Sequence, residues 1–156
     1  EVRHALEGMA AYYAALRATD DDRELIKQRF EEMIAAHVEG SDPMAEARAD
    51  ATFHLSITAA SHNPVLLHLM RGLFMLLQSS IEHNLEQLYT IPKVFEPLSK
   101  QHQNLMQAVV DGSPGRARSA AQDHMVFVEE SLQHIDQEQA RKERSLRKIS
   151  LIKNGI

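Results

Sequence analysis

The chain has no cysteine. That excludes disulfides, a thiol nucleophile and any thiolate metal site, so a metal ion here must be held by His, Asp or Glu. No stretch alternates apolar and polar residues as a half-buried strand does, no Asn-Gly turn joins two such stretches, and no glycine-rich loop is present to cradle a phosphate. Uninterrupted apolar runs fall short of the roughly 20 residues that a membrane span needs. The N-terminus lacks the basic-then-apolar form of a secretory signal. A cytoplasmic protein without a membrane partner is therefore expected. The first residue is Glu1, already inside an amphipathic pattern, so a further segment is expected ahead of it in the full-length protein.

What is present fits one domain: 156 residues, 44% of them hydrophobic, suffice for a packed core. The net charge of −5 is unevenly spread. Residues 138–156 hold six Lys/Arg against two Glu, a local +4 that leaves −9 on the rest, so the body is a poor nucleic-acid binder. The basic tail (Arg141, Lys142, Arg144, Arg147, Lys148, Lys153) reads as a solvated helix end.

Every long segment has helical periodicity, with clear punctuation between segments. From Val2 to about Ala18, the residues Val2, Leu6, Met9, Tyr13 and Leu16 define one face expected to be buried, with Arg3 and Glu7 beside it. Thr19 and Asp20-Asp21-Asp22 start a second helix, because a hydroxyl caps free N–H groups and carboxylates suit the positive end of the helix dipole. Gly40 stops it. Ser41-Asp42-Pro43 and Asn63-Pro64 are two further starts, with Pro at the first helical position. The helix from Pro64 to about Tyr89 is very apolar over Val65–Leu77 and is expected to run through the centre of the domain. Thr90-Ile91-Pro92 breaks it, Pro97 lies in the first turn of a fifth helix ending at Asp111-Gly112, and Ser113-Pro114 opens the last. The expected fold is all-α, an antiparallel bundle of six to seven helices.

Helical phase also exposes polar residues in core positions. Asp50 and His54, four apart, share one face of the third helix among Ala47, Ala51, Ile57 and Ala60. His102 shares a stripe with Leu98, Leu105 and Val109, and His124 one with Ala117, Ala121, Val128 and Leu132. An inward His alone is usually a hydrogen-bonded core residue. Four ionisable groups without partners would cost several kcal/mol each, comparable with the stability of a small domain. A shared cation resolves the conflict, and three imidazoles with one carboxylate suit Zn²⁺, with Ni²⁺, Mn²⁺ and Co²⁺ as further candidates. Of the nine histidines, His4 and His37 read as peripheral, His62 lies at a helix end and His134 enters the charged tail. His68 and His83, with Ser79, Ser80 and Asn84, are candidate pocket residues on the apolar helix. Arg3 offers a guanidinium for bidentate binding of a carboxylate, or else an ion pair with Glu7.

These residues resemble the C-terminal effector (FCD) domain of GntR-type bacterial transcription regulators in the FadR subgroup. The markers run along nearly the whole chain: Glu1-x-Arg3-x-x-x-Glu7, Asp50-x-x-x-His54, Ala60-Ser61-His62-Asn63-Pro64-Val65-Leu66, Gln101-His102, Asp111-Gly112 and Asp123-His124. The stretch Val2–Arg17 and the tail Arg141–Arg147 are similar to regulators of the pyruvate dehydrogenase complex. Ala60–Asn63, Leu77–Ser80 and Leu88-Tyr89 are similar to L-lactate operon regulators. The resemblance implies a metal held at Asp50, His54, His102 and His124, and a small carboxylate effector (pyruvate, L-lactate or glycolate) bound with Arg3, Ser80, His83 and Asn84. It further implies a homodimeric repressor that contacts DNA through a winged helix-turn-helix domain outside this chain. A metal with three His and a carboxylate can also activate water, so a metal-dependent hydrolase is the alternative, although no inward Glu is evident as a general base.

Overall fold

The structure is a computed structural model and describes residues 2–39, 42–88 and 94–153. Six helices follow one another: α1 (Val2–Arg17), α2 (Asp20–Glu39), α3 (Pro43–Ala60), α4 (Pro64–Leu88), α5 (Phe95–Val110) and α6 (Pro114–Lys153). There is no strand among the described residues. The breaks expected at Gly40 and at Thr90-Ile91-Pro92 lie outside those residues, as do Glu1, Ser41 and Tyr89.

The helix ends follow from local chemistry. Thr19 and Asp22 cap each other: the Asp22 N–H donates to Thr19 Oγ1 at 3.2 Å, and Asp22 Oδ2 accepts from the Thr19 N–H at 2.8 Å. Asp42 caps α3 by accepting from the Met44 N–H, and Asn63 caps α4 by accepting from the N–H groups of Val65 and Leu66. Helix α5 ends in a Schellman turn, in which the Ser113 N–H reaches Ala108 O and the Gly112 N–H reaches Val109 O. That turn needs a left-handed residue, and Gly112 has φ 63.

Helix α1 packs against α3, α5 and α6 and touches α4. Its buried residues are Glu7, Gly8, Ala10, Ala11, Ala14 and Ala15. This corrects the expected inner face, since Val2, Met9 and Leu16 are exposed. A helix surrounded on several sides is reached closely only over small side chains, so the Gly/Ala face turns inward and the bulky residues turn out. The central place expected for α4 is also corrected. Its Val65, Leu69, Met75 and Leu76 are exposed, and only its opposite side, with Leu66, Met70, Phe74, Ile81 and Leu88, is buried. By length and composition the stretch Pro64–Ile81, mean hydropathy 1.3, is apolar enough to cross a membrane, but His68 and Arg71 interrupt it.

The core has two apolar clusters. One gathers Ala11, Ala14, Ile26, Phe53, Leu105, Val109 and Ala117, the other Met70, Phe74, Leu88, Leu98 and Ile135. His54 touches both, with ring centroids 5.3 Å from Phe53 and 6.2 Å from Phe74. His54 therefore sits where the clusters meet.

Candidate metal centre

Three helices deliver four side chains to that seam. Asp50 and His54 lie one turn apart on α3, His102 comes from α5 and His124 from α6, and all four are buried. The imidazole centroids are 5.4 Å (His54 to His102), 5.2 Å (His54 to His124) and 4.3 Å (His102 to His124) apart. One ring nitrogen from each of the three lies within 4.8 Å of those from the other two. Asp50 Oδ1 is 3.2 Å from His102 Nε2 and 3.8 Å from His54 Nε2.

Glu7, which helical phase had set beside an apolar face, completes the cluster. It is 4% exposed, its Oε2 lies 2.9 Å from His54 Nδ1, and its Oε1 accepts from Arg3 Nε at 2.6 Å. The signal that locates it is the small-residue stripe Glu7, Ala11, Ala14, Ala18 at helical spacing, which outranks the bulky stripe once α1 is known to be enclosed. The Arg3 guanidinium also lies over the Phe74 ring, 5.2 Å from its centroid.

Electrostatics set the protonation states. Burial pushes the Glu7 carboxyl up, but the His54 and Arg3 charges together outweigh it and hold it well below the usual carboxylate range. Asp50 is held low in the same way, burial being overcome by His102, His54 and Arg3. For His54, burial lowers the pKa and the carboxylates of Glu7 and Asp50 more than reverse it. His102 is lowered by burial despite Asp50, and His124, facing two other imidazoles, is lowered further still. His102 and His124 are thus neutral imidazoles near pH 7, the form in which a ring nitrogen binds a cation.

The donor set fits a divalent ion on the structure's own terms. His54 Nε2, His102 Nε2 and His124 Nδ1 are buried and none makes a well-aligned hydrogen bond among the described residues, the only carboxylate oxygen against the first two being Asp50 Oδ1. Three such nitrogens converging beside a carboxylate are costly as an apolar core and well suited as ligands. His54 has its other nitrogen against Glu7, as metal-bound imidazoles usually do against a carboxylate.

The expected small-acid residues divide. Arg3 and Asn84 line a cavity of about 20 Å³ with Asp50, His124, Ile81, Leu88, Leu98 and Val128. Ser80 and His83 are exposed on α4 and do not line it. His68 is exposed as well, on a groove of about 690 Å³ between α3 and α4. His37 stacks on Phe95, and His62 holds Asp22 at the corner between α3 and α4.

The FCD domain model matches residues 1–127. The chain belongs to the FCD domain family. It is 42% identical over 147 residues to a candidate L-lactate dehydrogenase operon regulatory protein of Escherichia coli (strain K12), covering 94% of this chain and 55% of that protein. The Glc operon transcriptional activator of the same organism is 34% identical over 140 residues, covering 88% of this chain and 55% of the activator. LutR, an HTH-type transcriptional regulator of Bacillus subtilis (strain 168), is 32% identical over 133 residues, 85% of this chain and 59% of LutR. This FCD domain therefore spans somewhat over half the length of these curated relatives. The solved structure of Escherichia coli McbR/YncC matches 88% of this chain and 62% of its own with a TM-score of 0.67, at 18% identity, which shows the shared fold alone. These relatives carry the names of regulators, and the hydrolase reading finds no support in them.

Proposed function

We propose that this FCD domain is the effector-sensing part of a cytoplasmic GntR-type transcription repressor. Asp50, His54, His102 and His124 hold a divalent ion, Zn²⁺ in the first instance with Ni²⁺ or Mn²⁺ as substitutes. A small 2-oxo or 2-hydroxy acid (pyruvate, L-lactate or glycolate) binds there, with Arg3 and Asn84 beside it. The bound ion supplies a Lewis-acid site for the acid's carboxylate and 2-oxygen, and Arg3 supplies a fixed positive charge. The attached winged helix-turn-helix domain, outside this chain, reads DNA. The observation that carries this reading is the convergence of three buried imidazole nitrogens beside Asp50. The operon named for one relative, that of L-lactate dehydrogenase, favours a small 2-hydroxy acid.

The size of the cavity gives the signal its physical basis. About 20 Å³ between Arg3, Asp50, Asn84 and His124 holds roughly one water-sized body, less than any of these acids requires. The acid must therefore part the walls, and the wall it meets on one side is α4 through Ile81, Asn84 and Leu88. A ligand that fits only the parted arrangement shifts the population toward it by its differential affinity. Isothermal titration of the metal-loaded domain should show saturable binding of at least one of pyruvate, L-lactate and glycolate, lost in Asp50→Ala and His102→Ala; binding that persists in both variants would overturn the site.

A further inference from the structure

Helix α3 carries a third ligand-type side chain in register with Asp50 and His54. Glu46, Asp50 and His54 follow one another at steps of four on one face, a ladder that descends about 6 Å per rung from the first turn of the helix toward the core. Each rung meets a group of the complementary kind from another helix. Glu46 Oε2 lies 3.0 Å from His37 Nδ1 of α2, Asp50 Oδ1 3.2 Å from His102 Nε2 of α5, and His54 Nδ1 2.9 Å from Glu7 Oε2 of α1. The top rung reaches solvent, since the His37 side chain is 25% exposed, and stacking on Phe95 at 3.6 Å between centroids fixes its ring. An acid in the first turn suits the helix dipole wherever it points. The Glu46 side chain is nevertheless only 10% exposed and turned to His37, which the dipole does not require.

The upper two rungs share a cavity of about 20 Å³, lined by His37, Glu46, Ser99, Asp50 and His102 among others. It holds about one water-sized body, enough for an ion that sheds its waters and too little for a carboxylic acid. No Lys or Arg lines it. The cavity that Asp50 shares with His124 is as small, but its wall holds the Arg3 guanidinium. A divalent cation is thus repelled on the Arg3 side and drawn on the Glu46 side. The third cavity against the cluster, beside Glu7 and His54, is about 10 Å³ and every residue lining it is buried.

We propose that Glu46 and His37 form an outer capture site for the divalent ion, and that the cavity below them is its route to Asp50 and His102. The route presupposes the metal centre proposed above. A bare divalent charge is too costly to bury. Glu46 and His37 replace the first lost waters at the mouth, and Asp50 and His102 take over one turn below. Cation and acid then reach the centre by different cavities, the first past Glu46 and the second past Arg3.

Stopped-flow mixing of the metal-free chain with Co²⁺, followed by the visible absorption that imidazole ligation gives this ion, measures loading, and excess EDTA measures release. Glu46→Gln removes the charge at the mouth, and Ser99→Leu fills the passage. Each should slow loading at least about 10-fold and slow release as well, with helical circular dichroism and equilibrium affinity unchanged, because a route is travelled both ways. Glu130→Gln removes the same charge from the exposed surface of α6 and should load like the wild type. Loading at the wild-type rate in either Glu46→Gln or Ser99→Leu would overturn the route and leave the centre intact. Slower loading with faster release in Glu46→Gln would reduce Glu46 to a distant charge acting on the bound ion and would overturn the route as well. A wild-type chain that takes up no Co²⁺ would overturn the route together with the centre itself.

Discussion

Helix α1, rich in alanine and carrying Arg3 and Glu7, is enclosed by three other helices, whereas the far more apolar α4 lies at the edge with Met75 and Leu76 in solvent. Hydrophobicity alone would have exchanged them. What decides the places is fit. A helix in the middle must be approached closely, which alanine and glycine permit and Leu or Met does not. The middle is also where a buried Glu7 has His54 and Arg3 to neutralise it. Helix α4 gives one side to the core, with Met70, Phe74 and Ile81, while Leu69, Met75 and Leu76 on the other are exposed.

The first way to break the comparison is to truncate apolar residues on the two helices. Met70→Ala on the inner side of α4 should cost about 2–5 kcal/mol, the range for large-to-small core changes. Leu16→Ala on α1, exposed despite its place in an apolar stripe, should stay within about 0.5 kcal/mol. Urea denaturation of the two variants checks both, and equal losses would restore the inner face that periodicity alone suggests.

A smaller effect sharpens the role of the one acid on α1. Glu7→Gln keeps the shape and removes the charge that faces His54 Nδ1. Metal affinity, measured by competition with a chromophoric chelator, should fall about 10–100-fold, the usual loss when the carboxylate behind a metal-bound His is removed. An unchanged affinity would reduce Glu7 to a partner of Arg3 only.

Much of the fold was legible from local chemistry. Thr19 with Asp22, Asp42-Pro43, Asn63-Pro64 and Asp111-Gly112 mark helix ends wherever the structure describes them, because capping is decided within a few residues. The inward phase of Asp50, His54, His102 and His124 was legible too, since each sits amid residues of its own helix that are buried. The inward Glu7 and the outward face of α4 were not. Periodicity says which residues share a face, but it does not say which neighbour covers that face. For the same reason Ser80 and His83, polar residues on an apolar helix, pointed to a pocket although the side of α4 that holds them faces solvent.

The central claim is that three imidazoles and Asp50 hold one cation between the two apolar clusters. X-ray absorption at the zinc edge tests it most directly, on the domain loaded with Zn²⁺ and dialysed. The account predicts one zinc per chain, a first shell of nitrogen and oxygen only, and outer-shell scattering that fits three imidazoles, falling to two in His102→Ala. A chain that retains no zinc after dialysis, or a spectrum of an oxygen-only shell without imidazole scattering, would contradict it.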